Sequence, residues 1–391
     1  MMTPQRRRIT TLIEHEMAGT WFLGLAAIMA MVWATMAPTS YQLAGNASLT
    51  IPSIPSSSIN SIHTLITNGF MVVFFLAIGL EMGRERRAGA LQRLGQALAP
   101  LLGAIGGMIG AALFYEIICL AFGSAQSRHG WGIPMATDIA FTLGALSVVK
   151  RRAAPGLRTF LLTLAICDDI ATVLVLAVVS HHASSPHDIL YGAFAIAVSG
   201  ALTAVALRRR SPLALCAATV ALWWAFAHLG VEPPLAGVAT GAAMAMYRPS
   251  YQAAERFEHY VVALSTWAVL PLFTLCALGI DLGSSMWRAT PVILVAVLIA
   301  RLFGKPLGVL GGVGIAQRFD GPNDRWNLPT LQVTGAAILC AIGFTVPLIF
   351  AANIFGASSS SYAACQFALA AASMLAMVIG ASLIARRRAT Q

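Results

Sequence analysis

The chain is 391 residues long, 58% hydrophobic and only 10% charged, with a formal net charge of +10. So much hydrocarbon excludes a surface that faces water throughout and points to a polytopic membrane protein. The basic excess then reads as a topology signal, and nucleic acid is excluded as a partner.

In chain order, Arg6, Arg7 and Arg8 open the sequence without the short apolar core and cleavage site of a secretory signal peptide, so the first apolar run, near 19–36, is expected to stay as an anchor. Residues 37–61 form the one connection of any length, and "YQLAGNASLTI" within it is expected to make a small hairpin. Further apolar runs follow near 62–82, 96–122, 131–149, 157–180, 189–207, 212–229, 234–247, 260–279, 289–314, 329–353 and 362–385. The expected fold is therefore all-α, a single membrane domain over 1–391 with twelve transmembrane helices and both ends on one side.

The basic residues test this frame, because cytoplasmic loops collect Lys and Arg. With the N-terminus inside, the inner segments hold Arg84, Arg86, Arg87 and Arg93, then Lys150, Arg151, Arg152 and Arg158. Arg208 to Arg210, Arg248, Arg256, Arg318, Arg325 and Arg386 to Arg388 continue the pattern, while the outer loops hold Arg128 and Arg288 alone. Both termini are expected in the cytoplasm. The six cysteines fall one to a helix with no metal-ligand spacing and read as packing residues. Gly103, Gly106, Gly107 and Gly110 give the small-residue spacing of a close helix contact. His129, His181, His182 and His187 lie in or beside outer loops and read as surface residues.

An ionisable group at mid-membrane costs about 2.5–3.5 kcal/mol on insertion scales, so each needs a purpose. Asp138, Asp168, Asp169 and Lys305 all fall inside apolar runs. One such charge is commonly a structural ion pair; four near mid-depth are harder to explain that way. Adjacent helical residues point about 100° apart, so one of Asp168 and Asp169 is free to take the lysine while the other faces an open path. Pro134, four residues before Asp138, removes a backbone hydrogen bond and predicts an interrupted helix; Gly343 and Pro347 in "LCAIGFTVPLIF" predict a second. Either alone reads equally as an ordinary kink. Two breaks together would free carbonyls and half-helix ends for a cation. Carboxylates are hard oxygen ligands that take either Na⁺ or Li⁺ or a proton, so cation and proton compete for the same groups. Arg301 and Glu116 also lie in apolar runs, and their depths suggest a pair across the third and tenth helices; the alternative has Glu116 at the outer surface and Arg301 on helix-end carbonyls.

"NGFMVVFFLAIGLEMGRE", "GAIGGMIG", "GWGIPMATDIAFTLG", "LAICDDI", "LAGV", "LFGKPLGV" and "LCAIGFT" resemble, in order and spacing, the NhaA-type sodium/proton antiporters over residues 60–355. Inverted repeats and broken helices are that family's known architecture; they enter here through the resemblance and not from the sequence pattern. The resemblance implies an inverted-repeat core over 96–180 and 289–385, with scaffold helices over 19–82 and 234–279. It implies Asp138 and Asp169 at the Na⁺/Li⁺ and proton site, with Thr137 beside them at the unwound segment, and Asp168 as the partner of Lys305. It implies electrogenic, pH-regulated export of Na⁺ against inward H⁺ from a bacterial inner membrane, with no cofactor, by a homodimer meeting through 37–61. Glu81, Arg84, Glu85, Glu258 and His259 match positions linked to pH control, and read equally as a solvated interfacial ion cluster. Glu232 and Glu255 depart from relatives that can carry His and Lys there, which bears on the pH set-point.

Three rivals fit less well. An intramembrane aspartyl protease needs a GxGD signature, which neither Asp138, after "MAT", nor Asp168, after "AIC", supplies. A passive channel needs a symmetric filter that one asymmetric acidic pair does not give. A sodium-driven symporter of an organic anion is poorly matched to several carboxylates and one lysine.

Overall fold

A computed structural model describes residues 4–49, 59–88, 94–149, 152–154, 156–179, 186–209, 211–246, 252–281, 283, 285–320 and 328–386. Helix α1 (Pro4–Met36) is followed at once by α2 (Pro38–Asn46), which starts on Pro38 and leaves at a 115° bend. Proline is pre-set for a first helical turn, where its missing N–H has no partner to lose. The hairpin expected in "YQLAGNASLTI" is corrected over Tyr41–Asn46, which is helical; among the described residues, strand-like pairing is a bridge between Ser48 and Ser61. Residues 50–58 lie outside the description. The Tyr41 hydroxyl ties α2 down, donating to the Leu275 and Cys276 carbonyls and accepting from the Gly279 N–H.

Ser61 caps α3 (Ile62–Thr64), which passes through a π-wound turn (Leu65–Phe70) into α4 (Met71–Ala88). Next come α5 (Leu94–Phe122) and the short α6 (Ala125–Arg128), with a 3₁₀ turn at His129–Gly132. The chain then unwinds until α7 (Ile139–Val148), and α8 (Leu157–Val179) carries the paired aspartates. Helices α9 (Pro186–Arg209), α10 (Pro212–Leu229) and α11 (Leu235–Met246) follow, with Gly230 ending α10 at φ 65°. Helix α12 (Gln252–Leu264) continues through a π turn (Ser265–Val269) into α13 (Leu270–Ala277), and α14 (Pro291–Ile299) through another (Ala300–Gly304) into α15 (Lys305–Asp320). Helices α16 (Thr330–Leu339) and α17 (Thr345–Phe355) are separated by an unwound stretch, and α18 (Ser360–Ala385) closes the chain.

Among the described residues, Ile62–Glu81, Leu98–Phe122, Arg256–Ala277, Pro291–Phe319 and Ser360–Ala385 are each long and apolar enough to cross a bilayer, and the bent α1–α2 pair is a further candidate. Pro347 corrects a detail: it sits in the first turn of α17, where it breaks nothing, and the interruption falls on 340–344 around Gly343.

The chain forms two compact units. In the unit made of Met1–Leu25, Arg93–Thr172 and Leu282–Gln391, α5 packs along α15 and α16 along α18. The α5–α15 contact is a seam of glycines. A Cβ on Gly308 would strike the Gly106 carbonyl, one on Gly110 the Gly304 carbonyl, and one on Gly312 the Leu102 carbonyl. This is the close approach that the spacing Gly103, Gly106, Gly107, Gly110 predicted, made possible by small residues on both helices. In the unit made of Ala26–Gln92 and Val173–Asp281, α4 packs on α11 through Gly79, Gly237 and Gly241, and α9 on α10. A core of Leu76, Leu80, Leu215, Met244 and Val261 lies within it.

Candidate cation site

The two unwound stretches, 133–138 and 340–344, lie against each other inside the first unit, and side chains from α8 and the α14–α15 helix close on them. Proline at 134 and glycine at 343 make these stretches poor helix, but backbone without a helical ladder must find other partners inside a membrane. Here each supplies the other. The Asp138 N–H donates to the Ile342 carbonyl at 2.8 Å, the Thr137 hydroxyl to the Cys340 carbonyl at 2.9 Å, and the Thr142 hydroxyl to the Leu339 carbonyl at 3.3 Å.

Asp138, Asp168, Asp169, Lys305 and Thr137 are all buried. Lys305 Nζ lies 2.7 Å from Asp168 Oδ2, with neither side chain exposed, and also donates to the Met135 carbonyl. The same Asp168 oxygen accepts the Thr137 N–H at 2.8 Å, so this carboxylate anchors the unwound segment as well as the lysine. Asp138 stands at the N-cap of α7 in extended conformation, with its carboxylate buried near Thr345, the first residue of α17. Its Oδ2 has no hydrogen-bond partner among the described residues, nor does Asp168 Oδ1. Such oxygens, buried beside a threonine hydroxyl, have the character of ligands for a small hard cation or of proton acceptors.

For Arg301 the structure overturns the pairing across helices and supports the alternative of carbonyl partners. Arg301 does not pair with Glu116, which instead meets Arg128 at 3.0 Å toward the surface. Arg301 is fully buried and its guanidinium donates to main-chain carbonyls: Nε to Ala341 at 2.8 Å, Nη2 to Ala136 at 2.9 Å and Nη1 to Pro134 at 3.3 Å. Carbonyl partners leave no trace in side-chain chemistry. The available signal was the spacing of Arg301 and Lys305, one turn apart on a helix opposite two breaks.

The pH-response candidates lie elsewhere. Glu81, at the end of an apolar span, is half-buried in the second unit, as is Glu258; His259 is exposed; and α12 packs on α4. The side chains of Arg84, Glu85 and Glu255 lie outside the described residues, and Glu232 is buried in the second unit.

The sequence model of the family described as Na⁺/H⁺ antiporter 1 matches residues 10–384. A Na⁺/H⁺ antiporter NhaA of Renibacterium salmoninarum is 32% identical over 398 residues, covering 98% of this chain and 90% of its own. One of Haemophilus influenzae is 34% identical over 367 residues, covering 90% and 88%. Among solved structures, a sodium proton antiporter of Methanocaldococcus jannaschii aligns with a TM-score of 0.53 at 17% identity, covering 94% of this chain and 97% of that one, a likeness of fold alone.

Proposed function

The chain belongs to the NhaA family of Na⁺/H⁺ antiporters, multi-pass membrane transporters and not enzymes, and from that premise we propose that its buried acids and bases carry the exchange itself. The observation that carries this reading is the set of Asp138, Asp168, Asp169, Arg301 and Lys305, all buried in one unit. Three acids against two bases leave one negative charge, which a single monovalent cation balances. Asp138 and Asp169 hold Na⁺ or Li⁺ with help from the Thr137 hydroxyl, and release it when protons take the same oxygens. Asp168 stays with Lys305 and orients the unwound segment. Two protons returning for each cation make the cycle electrogenic.

The remaining features of this reading follow the family. Twelve spans cross a bacterial inner membrane with both termini cytoplasmic; segments 96–180 and 289–385 form an inverted-repeat core, with 19–82 and 234–279 as scaffold. Two copies associate through 37–61, and Glu81, Arg84, Glu85, Glu258 and His259 tune the response to pH. Everted vesicles carrying the protein, acidified by respiration and loaded with a pH dye, test the exchange: Na⁺ and Li⁺ dequench the dye, while K⁺ and choline do not. No response to Na⁺ at any pH refutes the assignment.

A further inference from the structure

Unwound segments in a transporter normally offer their freed carbonyls to the transported ion. In this chain four of those oxygens are held by two buried cations. Pro134, Met135 and Ala136, three consecutive carbonyls of one break, and Ala341 of the other, accept from Arg301 and Lys305. These two cations stand one turn apart across the junction of the π-wound turn Ala300–Gly304 with α15, which brings both onto the crossing. The guanidinium is suited to the task because its donors form a rigid planar fork and its charge cannot be lost by deprotonation. The backbone makes room for it: a Cβ on Gly343 would meet Arg301 Nη2 and, at 2.7 Å, the Ala136 carbonyl.

We propose that Arg301 is a positioning residue of the cation site: it locks the two unwound segments in register and withholds their carbonyls from the transported ion, leaving carboxylate and hydroxyl oxygens as its ligands. The inference rests on the exchange reading above. It goes beyond that reading because Arg301 neither binds the cation nor carries a proton. Its effect reaches Na⁺ through Asp138 and Thr137, whose places are set by the segment that it pins.

The test measures the Na⁺ dependence of exchange in vesicles, normalised to folded transporter, for wild type, Arg301→Gln, Arg301→Lys and Gly343→Ala. Arg301→Gln loses the fork and the charge and is expected to raise KM for Na⁺ about tenfold or more, the effect of losing charge-assisted hydrogen bonds that place the ligands. Arg301→Lys keeps a charge that reaches the same carbonyls and should recover part of that loss. Gly343→Ala displaces the guanidinium without removing it and should raise KM in the same direction. A merely structural role lowers the amount of folded protein and leaves KM where it was. If Arg301→Gln gives no folded protein, Arg301→Lys and Gly343→Ala decide, and wild-type KM in both overturns the proposal. Absence of Na⁺ response in the wild type refutes the exchange reading instead, so the two failures are told apart.

Discussion

Removing Lys305 should cost more than removing Lys305 and the charge of Asp168 together. The two atoms are 2.7 Å apart with neither side chain exposed, so Lys305→Ala leaves a buried carboxylate without its partner. Breaking a buried pair from one side typically costs about 3–5 kcal/mol, whereas neutralising both partners can be nearly neutral. The lysine's bond to the Met135 carbonyl is lost in either case and does not distinguish them. The double variant Asp168→Asn with Lys305→Gln keeps volume and some polarity at both positions. In a double-mutant cycle with its component singles, the coupling should therefore reach about 2 kcal/mol or more, against the few tenths expected of independent sites. Unfolding of purified protein in mixed micelles, followed by denaturant titration, gives the four free energies; thermal midpoints give the same ranking. Losses that add within about 0.5 kcal/mol would show that the pair contributes nothing as a pair and would remove Asp168 from the role given to it.

Asp138→Asn and Asp169→Asn should each abolish Na⁺-driven exchange in vesicles while the protein still inserts; substantial remaining exchange in either variant excludes that aspartate from the mechanism. With the membrane potential clamped by K⁺ and valinomycin, the exchange rate should depend on voltage, and a flat response would mean one proton per cation. On the glycine seam, Gly308→Ala places a methyl against the Gly106 carbonyl and should destabilise the protein by about 1–3 kcal/mol, the usual cost of overpacking. Gly311→Ala, with nothing within 4 Å of the new Cβ, is the matched control, and equal loss in the two would undo the packing argument.

The legibility of this chain divides along chemical lines. Asp138, Asp168, Asp169 and Lys305 were visible because charge in an apolar run is conspicuous, and Pro134 marked the first break because proline has a fixed local consequence. Main-chain partners were legible only as one of two alternatives for Arg301, with no residue to name. The pairing of Arg301 with Glu116, one of the two readings, came from counting residues inward from the helix ends, a method that assumes regular helices and side-chain partners. The structure has a π-wound turn at Arg301 and supplies Glu116 with Arg128 from the short α6, which no apolar pattern marks. Within the hairpin expected at 41–51, Tyr41–Asn46 turned out helical for a related reason. Polar residues said only that the segment leaves the bilayer frame, whereas Pro38 at a first helical position decided its local conformation.

The hydrogen bonds that join the two unwound stretches also impose an order on biogenesis. Thr137 and the carbonyl it needs are 203 residues apart in the chain, and Thr142 and its own partner 197. At about 5–20 residues per second of synthesis, the first stretch leaves the ribosome about 10–40 s before the second exists. During that interval its backbone polar groups have neither Cys340 nor Ile342 to meet, and hydrocarbon offers no substitute. The nascent chain must therefore shelter residues 133–138 in water or within the insertion machinery until the second stretch arrives, and in a chain arrested before residue 340 the Asp138 backbone amide should exchange its hydrogen faster than in the finished transporter, where the Ile342 carbonyl accepts it.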